Sequence, residues 1–399
     1  MAERRLSRRR LLGGSAAAAG VAGVAGLTLG AEHWASGGGT ADPGTVCEPF
    51  YGPHQAGIAT TPQLHAAFIG LDLKPGTGRE DIAGLLRIWS EDAARLTQGE
   101  PPLADTEPEL ATRAARLTVT IGFGPRLFAV AGLERARPPW LAQLPAFTID
   151  RLDSAFCEGD LLLQVCADEA TTVAHAVRAL TRSVGSLVTV RWTQRGFRNA
   201  AAGQTMRNLM GQLDGSVNID PATPDFDRLV WDDGAVLPWL AGGTSIVLRR
   251  IAMNLDTWDE LDPEGRELSI GRRIATGAPL TGTRESDDPD FMAVDAHGIT
   301  VIPPSAHIAR AHHASDSERF LRRGYNYDDT PALGATSNSG LLFAAYQRNI
   351  ATQYLPVQRR LAEFDALNAW TTPVGSAVFV IPPGVPAPGG YLGQSLFES

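Results

Sequence analysis

Two series of short apolar segments, one before residue 200 and one after residue 240, constrain the fold of this chain more than any other feature. Within each series, strand-like runs with alternating or continuous apolar residues are separated by segments with helical apolar spacing. The first series has the order strand, helix, strand, strand, helix, strand, which is that of a ferredoxin-like α+β unit. Its strands are predicted at 65–73, 117–123, 161–166 and 187–191, and its helices at 79–98 and 171–184.

The second series repeats much of this order. Its strands are predicted at 245–251, 340–346 and 376–381, with helices beginning at Asn254 and covering 353–364. A length of 399 residues also favours two domains over one. We therefore predict an α+β fold of two ferredoxin-like halves, divided as residues 46–220 and 221–399. Residues 262–339 lack a regular pattern, and long loops of this kind usually build a functional site.

The first 45 residues predict an export signal and a tether. The segment SRRRLL at 7–12 puts adjacent arginines before an apolar stretch rich in Ala and Gly over 11–30, which is typical of a Tat-type signal. A single transmembrane anchor is the alternative, because about 20 residues can span a bilayer, but this stretch is weakly hydrophobic. We expect cleavage within 31–40, use of the Tat export machinery, and a periplasmic or extracellular protein.

The charge and the cysteine count exclude several classes of function. The formal net charge is −9, with no basic run beyond the N-terminus, so nucleic acid and anionic membrane surfaces are poor partners. The three cysteines, Cys47, Cys157 and Cys166, are too few and too scattered for a disulfide framework or a zinc site. We interpret them as small buried hydrophobic residues.

One candidate functional segment is MGQLDG at 210–215, where Asp214 lies between Gly211 and Gly215. Asp-Gly is a common turn, and that interpretation is open. In the functional interpretation, Gly215 lets the backbone approach a flat ligand while the carboxylate of Asp214 enters a pocket.

Two further segments carry candidate residues. His307 follows the rigid pair Pro303-Pro304, and a neutral imidazole is a common axial ligand of haem iron, although a lone histidine is more often a core residue. Arg322 and Arg323 follow two apolar residues. They are either a surface pair, or one of them turns inward towards a carboxylate or a developing oxyanion.

The ordered combination of these segments resembles the dye-decolorizing-type haem peroxidases, specifically the Tat-exported group. The resemblance extends over nearly all of the chain that would remain after signal removal, and matches that keep both order and spacing are specific. The matching segments are Gly211–Gly215 with NLM before it, WLAGGTS at 239–245, MNLDTW at 253–258, AHI at 306–308, LRRGY at 321–325 and 340–347.

The resemblance implies that the two sheets face each other, as in a dimeric α+β barrel, with one haem b bound mainly in the C-terminal half. It implies His307 as the proximal iron ligand, with Asp214 and Arg322 on the distal side. We prefer Arg322 to Arg323 because the family's arginine stands two residues before the glycine, here Gly324. Six further residues would border the haem: Gly215, Ser216, Val217, His312, His313 and Ala314.

One departure from the family pattern concerns the proximal side. Relatives often carry an acidic residue shortly after the Tyr-Gln of the late strand, whereas this chain has Asn349 there. If Asn349 occupies that place, His307 would have less anionic character and the reduced iron would be favoured.

The chemistry expected of such a site is the reduction of hydrogen peroxide and the oxidation of a small aromatic or phenolic donor. One pivoting carboxylate can move the peroxide proton between oxygens, and because a carboxylate is a weak base, activity should be greatest at acidic pH. Electron relay points at the surface are not fixed by the sequence, and core packing is the alternative for each candidate. The candidates are Trp231, Trp239, Trp258, Tyr325 and Tyr327.

Two other functions are open at this point. A haem-handling protein of iron acquisition, similar to a deferrochelatase, would use the same pocket residues. A haem-free binding domain would keep His307 as a structural residue. The electron donor and the state of assembly, including a possible homo-oligomer, are not determined by the sequence.

Overall fold

The computed structural model describes residues 42–200 and 204–398, so the predicted export signal lies outside the described residues. The first half of the chain forms a complete strand-helix-strand-strand-helix-strand unit with one additional short helix. Its elements are β1 (His65–Leu73), α1 (Arg79–Leu96), β2 (Thr118–Phe123), α2 (Pro125–Val130), β3 (Leu161–Ala167), α3 (Ala170–Ser183) and β4 (Val188–Phe197).

The second half repeats this unit with insertions that the first half lacks. A two-stranded hairpin and several short helices are added to the strands of its main sheet. The elements are β5 (Met206–Arg207), β6 (Leu213–Asp214), α4 (Pro224–Val230), β7 (Thr244–Met253), α5 (Leu255–Asp259), α6 (Pro263–Ile270), α7 (His307–Ala311), β8 (Leu321–Arg322), β9 (Tyr325–Asp328), β10 (Ser339–Gln347), α8 (Tyr354–Phe364), β11 (Thr371–Ile381) and α9 (Gln394–Phe397).

The strands of the two halves join into a closed antiparallel ring. The first half has the strand order β2-β3-β1-β4 and the second half β11-β7-β10-β9. Single residue pairs connect the halves, Val380 with Phe123 on one side and Phe197 with Asn326 on the other. The predicted α+β class with two ferredoxin-like halves is therefore confirmed.

Both faces of the sheets are buried. On β1, Ala66 and Phe68 belong to the cluster between the two sheets, while Ala67 and Ile69 belong to the cluster under the helices of the first half. Successive side chains of a strand point to opposite faces, so each apolar strand serves two cores. This arrangement explains the continuous apolar runs of the sequence, because a strand buried on both faces has no polar side.

Two expectations differ from the structure. β4 continues to Phe197 instead of ending at 191, because its outer residues such as Thr193 and Arg195 are exposed and polar and weaken the apolar pattern. Cys47 is exposed, whereas Cys157 and Cys166 are buried as expected. The division at residue 220 stays a prediction.

None of the helices within residues 42–200 and 204–398 combines the length and the apolar character needed to cross a bilayer.

The inter-sheet cluster predicts a large effect of truncating Phe68, which is fully buried and contacts Tyr325 of the other half edge-on at 6.1 Å. We expect Phe68→Ala to lower the free energy of unfolding by roughly 3–5 kcal/mol, since the cavity cannot close fully. Phe364→Ala is the matched control, because Phe364 is 60% exposed. Guanidinium denaturation measures both variants, and a Phe68→Ala effect as small as that of the control would contradict this account of the core.

Candidate active site

A large cavity in the second half of the chain collects most of the candidate residues. It encloses about 1360 Å³, counting the part open to solvent. Much of its wall is apolar, which suits a flat hydrophobic ligand. The apolar wall includes Ile270, Ile308, Phe320, Phe343, Val357 and Leu361.

His307 lies on the wall of this cavity at the first position of α7. Its Nδ1 is 2.7 Å from Oδ2 of Asp365, the residue that ends α8. The other carboxylate oxygen of Asp365 accepts a hydrogen bond from the amide of Leu367 at 3.0 Å, so the carboxylate is fixed. Burial alone would lower the pKa of His307, but the Asp365 carboxylate outweighs it and the pKa is raised.

The pairing of His307 and Asp365 leaves one ring nitrogen available. Nε2 of His307 has no hydrogen-bond partner among the residues that the structure describes. A histidine held through Nδ1 by a carboxylate is the usual arrangement of a metal-ligating imidazole, because the carboxylate fixes the tautomer and the ring orientation.

The expectation that Asn349 stands beside His307 is wrong. Asn349 lies at the start of the segment before α8, where its side chain accepts a hydrogen bond from the amide of Ala351 and its amide donates to Gln353. The acidic partner comes instead from the far end of α8, as Asp365. No local sequence pattern identifies Asp365 as the partner of His307, because this pairing is made by the contact of two helices.

Asp214 and Arg322 meet at the same cavity. Nη1 of Arg322 is 4.0 Å from Oδ1 of Asp214, which is close enough for charge attraction but too long for a hydrogen bond. The carboxylate of Asp214 accepts no side-chain or backbone hydrogen bond in the described parts of the chain. Both groups therefore keep hydrogen-bonding capacity for a small polar molecule.

The local backbone explains how Asp214 is presented. Asp214 ends β6 of the two-stranded hairpin, whose turn is held by Asn208 Oδ1, which accepts from the amides of Met210 and Gln212. Gly215 has φ +118°, a conformation that side chains other than glycine rarely adopt. The turn interpretation of this segment and its functional interpretation are thus compatible.

Arg322 is held rigidly, and Arg323 lies elsewhere. The backbone of Arg322 exchanges two hydrogen bonds with the Asn218 side chain, and its Nη2 donates to the carbonyl of Val217 at 2.7 Å. Arg323 is 1% exposed and donates to Thr60 and Gln63 of the first half. Neighbouring residues of an extended segment point to opposite sides, so only Arg322 reaches the cavity of His307.

Five of the six residues expected to border the haem line this cavity, and the exception is Ala314. Ala314 is not part of the cavity wall. Its amide donates a hydrogen bond to the carboxylate of Glu318, and Glu318 does line the cavity. His312 contacts the rings of Phe291 and His313 at 5.0 and 4.6 Å. The five lining residues are Gly215, Ser216, Val217, His312 and His313.

The residues present fit a haem. No set of three His, Cys, Asp or Glu side chains that could hold a metal occurs within residues 42–200 and 204–398, so a metal at His307 needs further ligands, which a porphyrin supplies. The hydroxyl of Ser216 is buried in the cavity wall without a hydrogen-bond partner. Such an orphaned polar group is normally satisfied by a ligand or water.

The five aromatic candidates for electron relay are all buried. All five are at most 7% exposed, namely Trp231, Trp239, Trp258, Tyr325 and Tyr327.

Comparison with known proteins agrees with this fold and cavity. The models of the N-terminal and C-terminal parts of the Dyp-type peroxidases match residues 55–198 and 205–386. A dye-decolorizing peroxidase of Thermobifida fusca is 40% identical over 361 residues, covering 86% of this chain and 84% of that protein. The crystal structure of a DyP-type peroxidase from Cellulomonas bogoriensis has a TM-score of 0.87 and 54% identity, and the match covers 90% of this chain and all of that one.

The chain therefore belongs to the Dyp-type peroxidase family. It is a haem-dependent peroxidase with haem b as its cofactor. A deferrochelatase of Shigella flexneri is also similar, with 34% identity over 420 residues that cover 98% of this chain and 97% of that protein.

Proposed function

We propose that this protein reduces hydrogen peroxide and oxidises small aromatic or phenolic donors, with His307 as the iron ligand and Asp214 and Arg322 as the residues that handle peroxide. The observation that carries the proposal is the composition of one cavity wall. It presents an imidazole whose Nδ1 is fixed by Asp365 and whose Nε2 is available, together with a carboxylate and a guanidinium that keep hydrogen-bonding capacity.

When bound, haem supplies the iron centre at which the O–O bond is cleaved and through which electrons reach the products. Gly215, Ser216 and Val217 together with His312 and His313 would border it, and Ala314 stays a predicted neighbour. His307 would hold the metal through Nε2, with Asp365 increasing the donor strength of the ring.

Asp214 would move the proton. Its carboxylate takes the proton from one peroxide oxygen and returns it to the leaving oxygen, which departs as water. Arg322 stays positively charged throughout and stabilises the negative charge that develops on that leaving oxygen. The guanidinium of Arg322 donates to the Val217 carbonyl, and the Arg322 backbone is held by two hydrogen bonds with the Asn218 side chain. The guanidinium is therefore in place before peroxide arrives, and little reorganisation is needed.

A second candidate function is the release of iron from haem, as the name of the Shigella flexneri relative describes for that protein. It is favoured by the near-complete coverage of both chains in that comparison. The pocket residues would be the same, and the products would differ: iron and an intact porphyrin instead of an oxidised donor and water.

We also propose that the protein is exported, on the basis of the SRRRLL segment at 7–12 and the apolar stretch after it.

Removal of the proposed peroxide-handling groups should separate turnover from haem binding. We expect Asp214→Ala and Arg322→Ala each to lower the peroxidase turnover of a phenolic donor by about 10²-fold or more, with the Soret absorption band retained. Glu264→Ala, an exposed carboxylate of α6, is the control. Full turnover in Asp214→Ala would refute the proton-transfer role, and release of iron with intact porphyrin in wild type would favour the second function.

The proximal hydrogen bond predicts an electrochemical effect. We expect Asp365→Asn to raise the ferric/ferrous reduction potential, because the imidazole loses its anionic partner and donates less electron density to the oxidised metal. Asn349→Asp should leave the potential unchanged, since Asn349 does not contact His307. Spectroelectrochemical titration measures the reduction potential of both variants. A changed potential in Asn349→Asp together with an unchanged potential in Asp365→Asn would show that Asp365 does not influence the reduction potential of the metal.

The export proposal predicts dependence on the arginine pair. Replacing Arg8 and Arg9 together by lysine should abolish export of the full chain through the Tat machinery, while an Arg4→Lys, Arg5→Lys control is exported. Cell fractionation with an antibody against the protein measures the outcome, and unchanged export of the first variant would rule out a twin-arginine signal.

A further inference from the structure

A second cavity, lined in part by residues of α4, contains none of the candidate active site residues and takes no part in the function proposed above. It encloses about 760 Å³, counting the part open to solvent. The cavity is lined by residues of the segment before β1, by residues of α4, and by Trp231, which directly follows α4. Three of them are aromatic, namely Tyr51, Phe226 and Trp231.

Trp231 is fixed in this wall by stacking. The imidazole of His54 lies parallel to the indole at a centroid distance of 3.9 Å and an angle of 9°. Nδ1 of His54 is 2.7 Å from the carbonyl of Gly242, and Gly242 itself has φ +84° and a backbone too close to Pro53 for a side chain. Phe226 meets the indole edge-on at 5.8 Å. The indole is therefore held rigidly, and only 7% of Trp231 is exposed.

The charge of this cavity favours a cation. Its charged lining residues are both acidic, Glu48 and Asp227. Glu48 is already paired with Arg116 at 2.9 Å, whereas the carboxylate of Asp227 is exposed and has no ion pair or side-chain hydrogen bond within the described residues. A positive charge next to aromatic faces gains attraction from the rings as well as from the carboxylate.

Contacts of α4 and of a buried cluster connect the second cavity with the cavity of His307. Phe226 and Asp227 of α4 line the second cavity, while Asp225 pairs at 3.1 Å with Arg319, which lines the cavity of His307. Trp231 also belongs to the buried cluster that contains Ile219, and Ile219 lines the cavity of His307. The indole and a residue of the wall of the proposed haem site thus belong to one buried apolar cluster.

We propose that this second cavity binds the electron donor, that the donor is an aromatic molecule carrying a positive charge, and that Trp231 passes the donor's electron inward. This proposal rests on the peroxidase function proposed above. Two donor phenols each lose one electron and their phenolic proton and become phenoxyl radicals. The two electrons and two protons convert one hydrogen peroxide into two water molecules, so atoms and charge balance.

A matched pair of phenols tests the choice of donor. Both 4-hydroxyphenyltrimethylammonium and 4-hydroxybenzenesulfonate present the same oxidisable ring and differ in the sign of the substituent charge. For the haem-loaded enzyme we expect a lower KM for the cation. Asp227→Asn should raise that KM about three- to five-fold at low salt, as expected for a largely exposed charge pair, and leave the KM of the sulfonate unchanged or lower. The control Glu91→Gln removes the charge of an exposed carboxylate of α1 that lies outside this cavity. This variant should change the KM of neither phenol.

Removing the indole tests the relay. Trp231→Phe keeps an aromatic ring but is much harder to oxidise, so kcat for the cationic phenol should fall on the order of ten-fold. In Trp231→Phe, the haem absorption band should still change at the wild-type rate after mixing with one equivalent of peroxide, because the donor takes no part in that step. Trp239→Phe removes an equally buried indole whose Nε1 donates to Ala136 outside this cavity and serves as the control.

Binding is measured separately from turnover by titration calorimetry of the cationic phenol into the haem-loaded enzyme without peroxide. Weaker binding to Asp227→Asn than to wild type supports the site. Equal binding and equal kinetic constants in wild type, Asp227→Asn and Trp231→Phe overturn it. Loss of the absorption change with peroxide in wild type would instead refute the peroxidase function, while the calorimetric result would still decide whether the cavity binds the cation.

Discussion

The packing of the two sheets against each other is the interaction on which the rest of this structure depends. Phe68 of the first half and Tyr325 of the second half belong to one buried cluster between the sheets. Because the inner face of each sheet is apolar, neither half could bury this face without the other. The closure of the strands into one ring also fixes β8 and β9, and thereby orients Arg322 and Arg323 to different sides.

The candidate active site combines elements that are distant in the chain. His307 begins α7 and Asp365 ends α8, and the two helices lie side by side so that the imidazole and the carboxylate meet at 2.7 Å. Asp214 comes from a separate hairpin and Arg322 from a short edge strand. Hydrogen bonds hold His307, Asp365 and Arg322 in place, so this part of the site needs little rearrangement to receive a ligand.

The charges of the two cavities suggest a division of labour between them. In the cavity of His307 a guanidinium and a carboxylate lie 4.0 Å apart, which suits a small molecule that exchanges a proton. The second cavity is lined by aromatic rings and by the carboxylate of Asp227, which has no ion pair within the described residues, and this lining suits a cationic aromatic molecule. Separate sites for oxidant and donor would let a donor too large for the inner cavity still deliver electrons.

The sequence by itself determined the strand and helix order, the family, and the segments that carry His307, Asp214 and Arg322. These features are local, because apolar periodicity and short motifs are properties of neighbouring residues. Only the tertiary structure decided that Asp365, and not Asn349, stands beside the imidazole. The reason is that this contact is made between the start of one helix and the end of another, 58 residues apart, and their relative position is set by packing and not by any pattern within either segment.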